Sequence, residues 1–421
     1  MPSASTETKV RLAFVAFFLA GILLRFTQLG NAPLDEGEAQ QALAAYNLSE
    51  GNPATGSEVP IYTILTSLSF SLFGSSDWLA RFWPALIGSS LVLLIYLLRE
   101  LLGRASALTL AAGVAVLPAF VATSRFAGGD VFVLLSLGLI WLSLDRQRWQ
   151  LLGFALALAL LSGPALLVGA SILLFCLVLL FTFFRKSNSS QWLLTRWTEI
   201  SHSIDRRAVA IAFLVSLILL GTAFLTRFNA FGLVGSSLAS FVQSWGGGQG
   251  IPLNLFAFSL LKDATPWLLI ALLALFTNRK DNPSHQFFLI WLLIAIGFLL
   301  IFPGRRAEDL VWLLLPCLGL AAALFERWLK LPKENQVPIW ATFALLILLM
   351  LFQWLNFART SNAEILMAGL VAGGILLLVT LLAMVLIGGG WSMEVPLHAL
   401  AMAAVLGLSL MALAQSSRIG R

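Results

Sequence analysis

Apolar runs of roughly twenty residues recur along this chain from Val10 to Leu413, and that repetition constrains the fold more than any other feature. A bilayer core of about 30 Å takes about 20 helical residues to cross. The runs are continuous rather than alternating, which points to spanning helices and away from a barrel. Composition agrees, since 59% of the 421 residues are hydrophobic and 11% are charged, where a soluble domain carries roughly 25% charged residues. The expected fold class is an all-α polytopic membrane protein of the cell (plasma or inner) membrane.

About thirteen transmembrane helices are expected, near 10–28, 81–102, 105–124, 129–144, 148–162, 164–184, 208–226, 264–277, 287–303, 309–326, 338–356, 364–388 and 396–414. The first run, Leu12 to Leu24, lacks a small-residue cleavage site and is followed by Arg25, so it reads as a span rather than a signal peptide. Pro60 to Gly74 is apolar but short, which suits an interfacial or re-entrant segment. Juxtamembrane helices are therefore expected in the first long loop, one of them from Glu36 to Leu48.

With the amino terminus cytoplasmic, the inner ends carry 16 Lys+Arg and 9 Asp+Glu, and the outer ends 10 and 11. The bias of basic residues towards the inside supports that orientation. It also explains the net charge of +6 without a nucleic-acid partner, because the basic residues sit in short connections rather than on one soluble face. Two external loops exceed connector length, Leu29 to Asp77 and Arg227 to Thr265, and long loops in a compact fold are usually functional. The basic segment Arg185 to Arg207, with Trp192 and Trp197, reads as an amphipathic helix on the cytoplasmic surface facing membrane lipids. Two domains are expected, a catalytic transmembrane domain at 1–335 and carboxy-terminal transmembrane helices at 336–421, with no soluble domain. Cys176 and Cys317 lie in apolar runs and read as small buried hydrophobes; His202, His285 and His398 have no assigned role.

Chemistry is left to the acids and arginines at span ends. Asp35, Glu36 and Glu38 follow the Pro33 turn at the start of a helical stretch, where simple helix capping explains acids equally well. Asp130 opens an apolar run after Arg125 and two glycines. Acids at two span ends on one side would converge in one cavity, as a base and its companion ligand must. Arg305 and Arg306 precede another span; guanidinium forks suit phosphate oxygens, although arginines also snorkel at interfaces.

At these residues the chain resembles the GT-C superfamily of membrane glycosyltransferases, in its protein mannosyltransferase and aminoarabinose transferase branch. The matching pieces are LDEGEAQQA, SEVPIY, LFGSSDWLARFWPAL, TSRFAGGD, LLSGPALL, TPWLL and GRRAEDLVWLLLPCLGLA, in that order over residues 10 to 330. The resemblance implies that an acceptor hydroxyl attacks the anomeric carbon of a polyprenyl-phosphate sugar on the outer face, with inversion. It implies Asp35 as general base with Glu36 and Asp130 as its catalytic companions. It further implies substrate contacts at Glu58, upstream of Pro60, and at Arg125, with Arg305 and Arg306 near the carrier phosphate. The implied partners are a polyprenyl-phosphate-linked sugar donor, a lipid, glycan or protein acceptor, and membrane lipids. Cofactors stay open; a divalent cation, Mg or Mn, would use Asp35, Glu36 and Asp130. Where relatives often carry a Lys-Gly pair, this chain has Ser162, Gly163 and Pro164. Two other readings use the same charges: a transporter or flippase for a lipid-linked or anionic solute, and a non-catalytic GT-C-like subunit of a membrane complex.

Overall fold

The computed structural model describes residues 4–54, 56–183, 188–247, 250–260, 283–328 and 336–358, with scattered positions within 267–271 and 382–403. Among the described residues every regular element is helical. The chain forms two compact units, one containing Met1–Ala323 and one containing Leu324–Ala412.

In chain order the helices are α1 (Ala4–Phe26), α2 (Glu36–Ser49), α3 (Pro60–Phe73), α4 (Asp77–Leu97), α5 (Arg99–Leu102), α6 (Arg104–Val116), α7 (Pro118–Arg125), α8 (Asp130–Asp145) and α9 (Trp149–Leu161). They continue with α10 (Pro164–Phe183), α11 (Asn188–Ser203), α12 (Arg206–Gly221), α13 (Leu233–Ser244), α14 (Leu253–Ser259), α15 (Pro283–Ile301), α16 (Leu310–Trp328) and α17 (Gln336–Ala358).

Local sequence explains most helix starts. Asp35 caps α2, Ser76 caps α4 by accepting from the Leu79 amide, and Pro60, Pro118 and Pro164 open α3, α7 and α10. Proline suits a first turn because the missing N–H would be unpaired there anyway. The same property breaks the run expected to cross once at 105–124: Pro118 divides it into α6 and α7, bent by 55°.

Two helices, α4 and α10, are long and apolar enough to cross a membrane alone, and the bent pair α6–α7 makes a third if taken as one span. The expected thirteen are therefore not reached among the described residues. One reason is coverage, since the stretches at 264–277, 364–388 and 396–414 lie largely outside those residues. Others are charge, since the 23-residue α1 is long enough but carries Lys9, Arg11 and Arg25, and length. A 13-residue helix such as α9 rises only about 20 Å, well short of a 30 Å bilayer core.

Packing in the first unit uses small residues as contact points, as expected where lipid removes the hydrophobic drive for helices to associate. A Cβ on Gly153 would lie 2.5 Å from the Val209 carbonyl, which lets α9 and α12 approach closely. A larger apolar cluster joins Ile172, Cys176 and Leu180 of α10 to Phe298 and Leu299 of α15 and Trp312 of α16. Both cysteines are buried free thiols, as the sequence suggested. The first long loop folds into α2 and α3; the second contains a 3-10 turn at Phe228–Gly232 followed by α13 and α14. The α11 helix leaves Trp197 61% exposed, in keeping with a surface helix. In the second unit, α17 packs Ile339 and Leu346 against Val395, Ala399 and Ala403.

Candidate active site

The site is built at one end of the first unit, where α1, α7 and α15 finish and α2, α4, α8, α10 and α16 begin. Asp35 takes the extended backbone of a helix cap (φ −72°, ψ 174°). Its Oδ1 accepts from the Glu38 amide at 2.8 Å, while the Asp35 amide donates to Glu38 Oε2 at 3.2 Å. This is a reciprocal capping box, and Oδ2 takes no part in it. Asp35 and Glu36 are exposed, whereas Glu38, two residues on, is buried.

Glu38 is buried because Arg81 meets it. Arg81 Nε donates to Glu38 Oε1 at 2.8 Å and Nη2 to Oε2 at 2.5 Å, a two-pronged pair. The remaining Arg81 hydrogens go to the carbonyls of Leu29, Ala32 and Pro33, and Glu38 Oε1 also accepts from the Ala127 amide at 3.1 Å. One ion pair therefore fixes the loop before α2, the start of α4 and the loop before α8. Glu38 belongs to the acidic cluster singled out in the sequence, but Arg81 was not read there as part of a site. The signal was an arginine four residues into an apolar helix, which must find a partner when buried.

Phe126 lies between the two acidic helix starts. A Cβ on Gly37 would lie 3.5 Å from Asp35 Oδ1 and 3.6 Å from the Phe126 ring, and one on Gly128 would lie 2.9 Å from that ring and 3.6 Å from Asp130 Oδ2. Asp130 begins α8 and lines a cleft with Ser240 and Ser244 of α13 and with Gly304, Arg306 and Asp309. The cavity is about 20 Å³, room for a water or two.

Arg306 links the pieces. Its Nη2 donates to Glu58 Oε2 at 2.6 Å across 248 residues of sequence, and its amide donates to Asp309 Oδ2 at 2.8 Å. Glu308 sits in the same turn ahead of α16. Burial first, and then the charge of Asp130 with a smaller part from Asp35, pushes its carboxyl up to about 7. Glu58, Asp130, Arg306, Glu308 and Asp309 thus share one acidic recess around a guanidinium, and Asp35 lies within its electrostatic reach.

Two arginines expected to meet substrate face inward instead. Arg125 donates to the carbonyls of Leu24, Arg25, Thr27 and Gln28, closing the end of α1. Arg305 donates to the carbonyls of Leu299, Phe302 and Leu300, closing the end of α15. Both satisfy the last helical carbonyls, which have no partners within the helix. Among the described residues, no three His, Cys, Asp or Glu side chains stand close enough together to hold a metal ion.

Comparisons with known proteins bear on the fold and on part of the chain. No curated protein sequence matches it. The protein family described as dolichyl-phosphate-mannose-protein mannosyltransferase matches residues 57–204, from just before Glu58 to the end of α11. That segment contains Glu58, Arg81, Arg125 and Asp130, and it is narrower than the 10 to 330 over which the motifs run. Two solved structures share the fold over nearly the whole length. The crystal structure of ArnT from Cupriavidus metallidurans bound to undecaprenyl phosphate is 14% identical, with a TM-score of 0.55 over 99% of this chain and 78% of that one. The same protein in the apo state gives 15% identity and a TM-score of 0.54 with the same coverage. By its family segment at 57–204 and its ArnT-like fold, the chain is similar to the GT-C membrane glycosyltransferases that its motifs suggested.

Proposed function

We propose that this protein moves a sugar from a polyprenyl-phosphate carrier to an acceptor hydroxyl at the outer face of the cell membrane, with inversion. The observation that carries the reading is the meeting of Glu58, Asp130 and Arg306 at the helix ends where Asp35 caps α2. The ArnT structure, crystallised with undecaprenyl phosphate, supports a carrier of that chemistry. An apolar carrier also accounts for a catalyst embedded in lipid.

In this reading the acceptor oxygen attacks the anomeric carbon while the bond from that carbon to the phosphate oxygen breaks, and the electron pair leaves with the phosphate. The hydroxyl proton passes to Asp35, whose Oδ2 is outside the capping box. A carboxylate base in reach contributes ~10²–10⁴-fold. Arg306 offsets the charge that grows on the departing phosphate. Asp130, fixed at the start of α8 beside Arg306, orients the acceptor, and Glu36 keeps the mouth of the site anionic. Arg125 and Arg305 support the site from behind by closing α1 and α15.

The test is transfer from synthetic polyprenyl-phosphate sugars to candidate acceptors, with the full chain in nanodiscs. The expected product has the opposite anomeric configuration to the donor. Retention of configuration would contradict direct attack, and carrier-dependent movement of donor across the bilayer without transfer would favour the transporter reading.

A further inference from the structure

The cation assigned to the carrier phosphate already has an anion on it. The arginines around this end divide by what they hold. Arg25, Arg125, Arg227 and Arg305 donate to backbone carbonyls, and Arg81 is locked on buried Glu38. Arg306 is held by a side-chain carboxylate and stays 46% exposed, with Glu58 24% exposed. Built-in contacts of the first kind do not exchange. A half-exposed pair of the second kind is weak and can.

The backbone under Glu58 is clamped, so the exchange needs only its side chain. A Cβ on Gly163 would lie 2.6 Å from the Glu58 carbonyl oxygen and one on Gly129 2.7 Å from Val59 Cγ1, so both strands of chain are fitted closely against this segment. The neighbouring Ser57 hydroxyl is tied to Gln41 and Thr63 and accepts from the Val59 amide. Only the carboxylate arm projects from this fixed base towards Arg306.

We propose that Glu58 is an internal competitor for the carrier phosphate: it occupies Arg306 in the empty site, yields to the phosphate, and reclaims the guanidinium to release the spent carrier. This rests on the reading that Arg306 holds that phosphate. The need follows from the chemistry of transfer. The donor is a phosphodiester with one charge, and the product is a monoester whose charge approaches two at neutral pH. The product therefore binds the guanidinium more strongly than the substrate did. A carboxylate tethered beside it lowers the hold on both and shortens the stay of the product.

The experiment measures binding and dissociation of undecaprenyl phosphate on the full chain in nanodiscs, with inorganic phosphate as a competitor and thermal melting as the control for folding. Glu58→Gln, which keeps the shape and removes the charge, is expected to bind undecaprenyl phosphate roughly two- to fivefold more tightly, with slower dissociation. Arg306→Ala is expected to weaken binding, and the double variant to match Arg306→Ala. Glu58→Asp, withdrawn by one methylene, gives the same sign in smaller measure and serves if the glutamine variant melts early. Weakening by Arg306→Ala together with unchanged or weaker binding in a folded Glu58→Gln would overturn the role of Glu58 alone. Equal binding by the native chain and Arg306→Ala would overturn the placement of the phosphate on which it rests. Displacement by inorganic phosphate at the same concentration as the lipid would assign the affinity to a free anion rather than the carrier.

Discussion

The two ends of the helical unit within Met1–Ala323 treat charge in opposite ways. At the end where α1 begins, Glu7 spreads over Arg11, Arg99 and Arg104, Arg146 meets Glu100, and Arg196 meets Asp145 and Glu199. Most of these side chains are a quarter to two thirds exposed, and water screens them. At the end where α1 finishes, Arg25, Arg81, Arg125 and Arg305 are buried and held by carbonyls or by Glu38. Exposed pairs tolerate loss, while buried ones fix a geometry. The difference marks the second end as the place where the loops around the candidate site are held in register.

The largest effect that would sharpen this contrast is expected at Arg81. Arg81→Ala leaves Glu38 buried and unpaired, and breaking a buried pair costs about 3–5 kcal/mol. Thermal unfolding in detergent should show a large loss of stability. A near-neutral variant would mean that Glu38 reaches water and that the pair is not a lock.

Arg306→Ala comes next. A charge-assisted hydrogen bond contributes about 1.5–3 kcal/mol, so affinity for a polyprenyl phosphate should fall roughly 10- to 100-fold, while the melting temperature changes little because the side chain is half exposed. Arg146→Ala at the opposite end is the matched control. Its pair with Glu100 is 46% and 67% exposed, and such pairs are worth about 0–1 kcal/mol. Neither binding nor transfer should respond, and a loss of transfer there would erase the distinction between the ends.

A smaller, pH-dependent effect is expected at Glu308. Burial and then the charge of Asp130 push it up to about 7 from an ordinary value of 4.5. The native chain keeps a proton there that the unfolded chain has released. Stability is fully present below about 4.5 and is lost as pH rises through about 7. Melting temperatures recorded across that window should slope downward, and Glu308→Gln should flatten the slope.

Much of the fold was legible because hydropathy and punctuation are local signals. The start of α2 at Glu36, the helix at Pro60–Phe73 and the opening of α8 at Asp130 follow from an Asp cap, a proline and an acid after glycines. The break at Pro118 was not anticipated in the run expected at 105–124, although a proline inside an apolar helix is itself a local signal. Of the candidate site, Asp35 and Asp130 were legible as acids at helix starts, Glu308 and Asp309 had no assigned role, and the arginines were less legible still. Arg125, Arg305 and Arg306 look alike in sequence. Only the tertiary path decides that Arg125 closes the end of α1, Arg305 closes the end of α15 just before it, and Arg306 faces Glu58. The partnership of Glu38 with Arg81 joins positions 43 residues apart, and no local pattern encodes it.

The central claim is that the capped acid at the start of α2 is a base rather than only a cap. Asp35→Asn separates the two, because asparagine caps a helix about as well as aspartate but cannot take the proton. The measurement is sugar transfer from a polyprenyl-phosphate donor by the Asp35→Asn chain in nanodiscs, beside the native chain, with the melting temperature of both. The account predicts an unchanged melting temperature and transfer slower by ~10²-fold or more. Full transfer by a folded Asp35→Asn chain would contradict it.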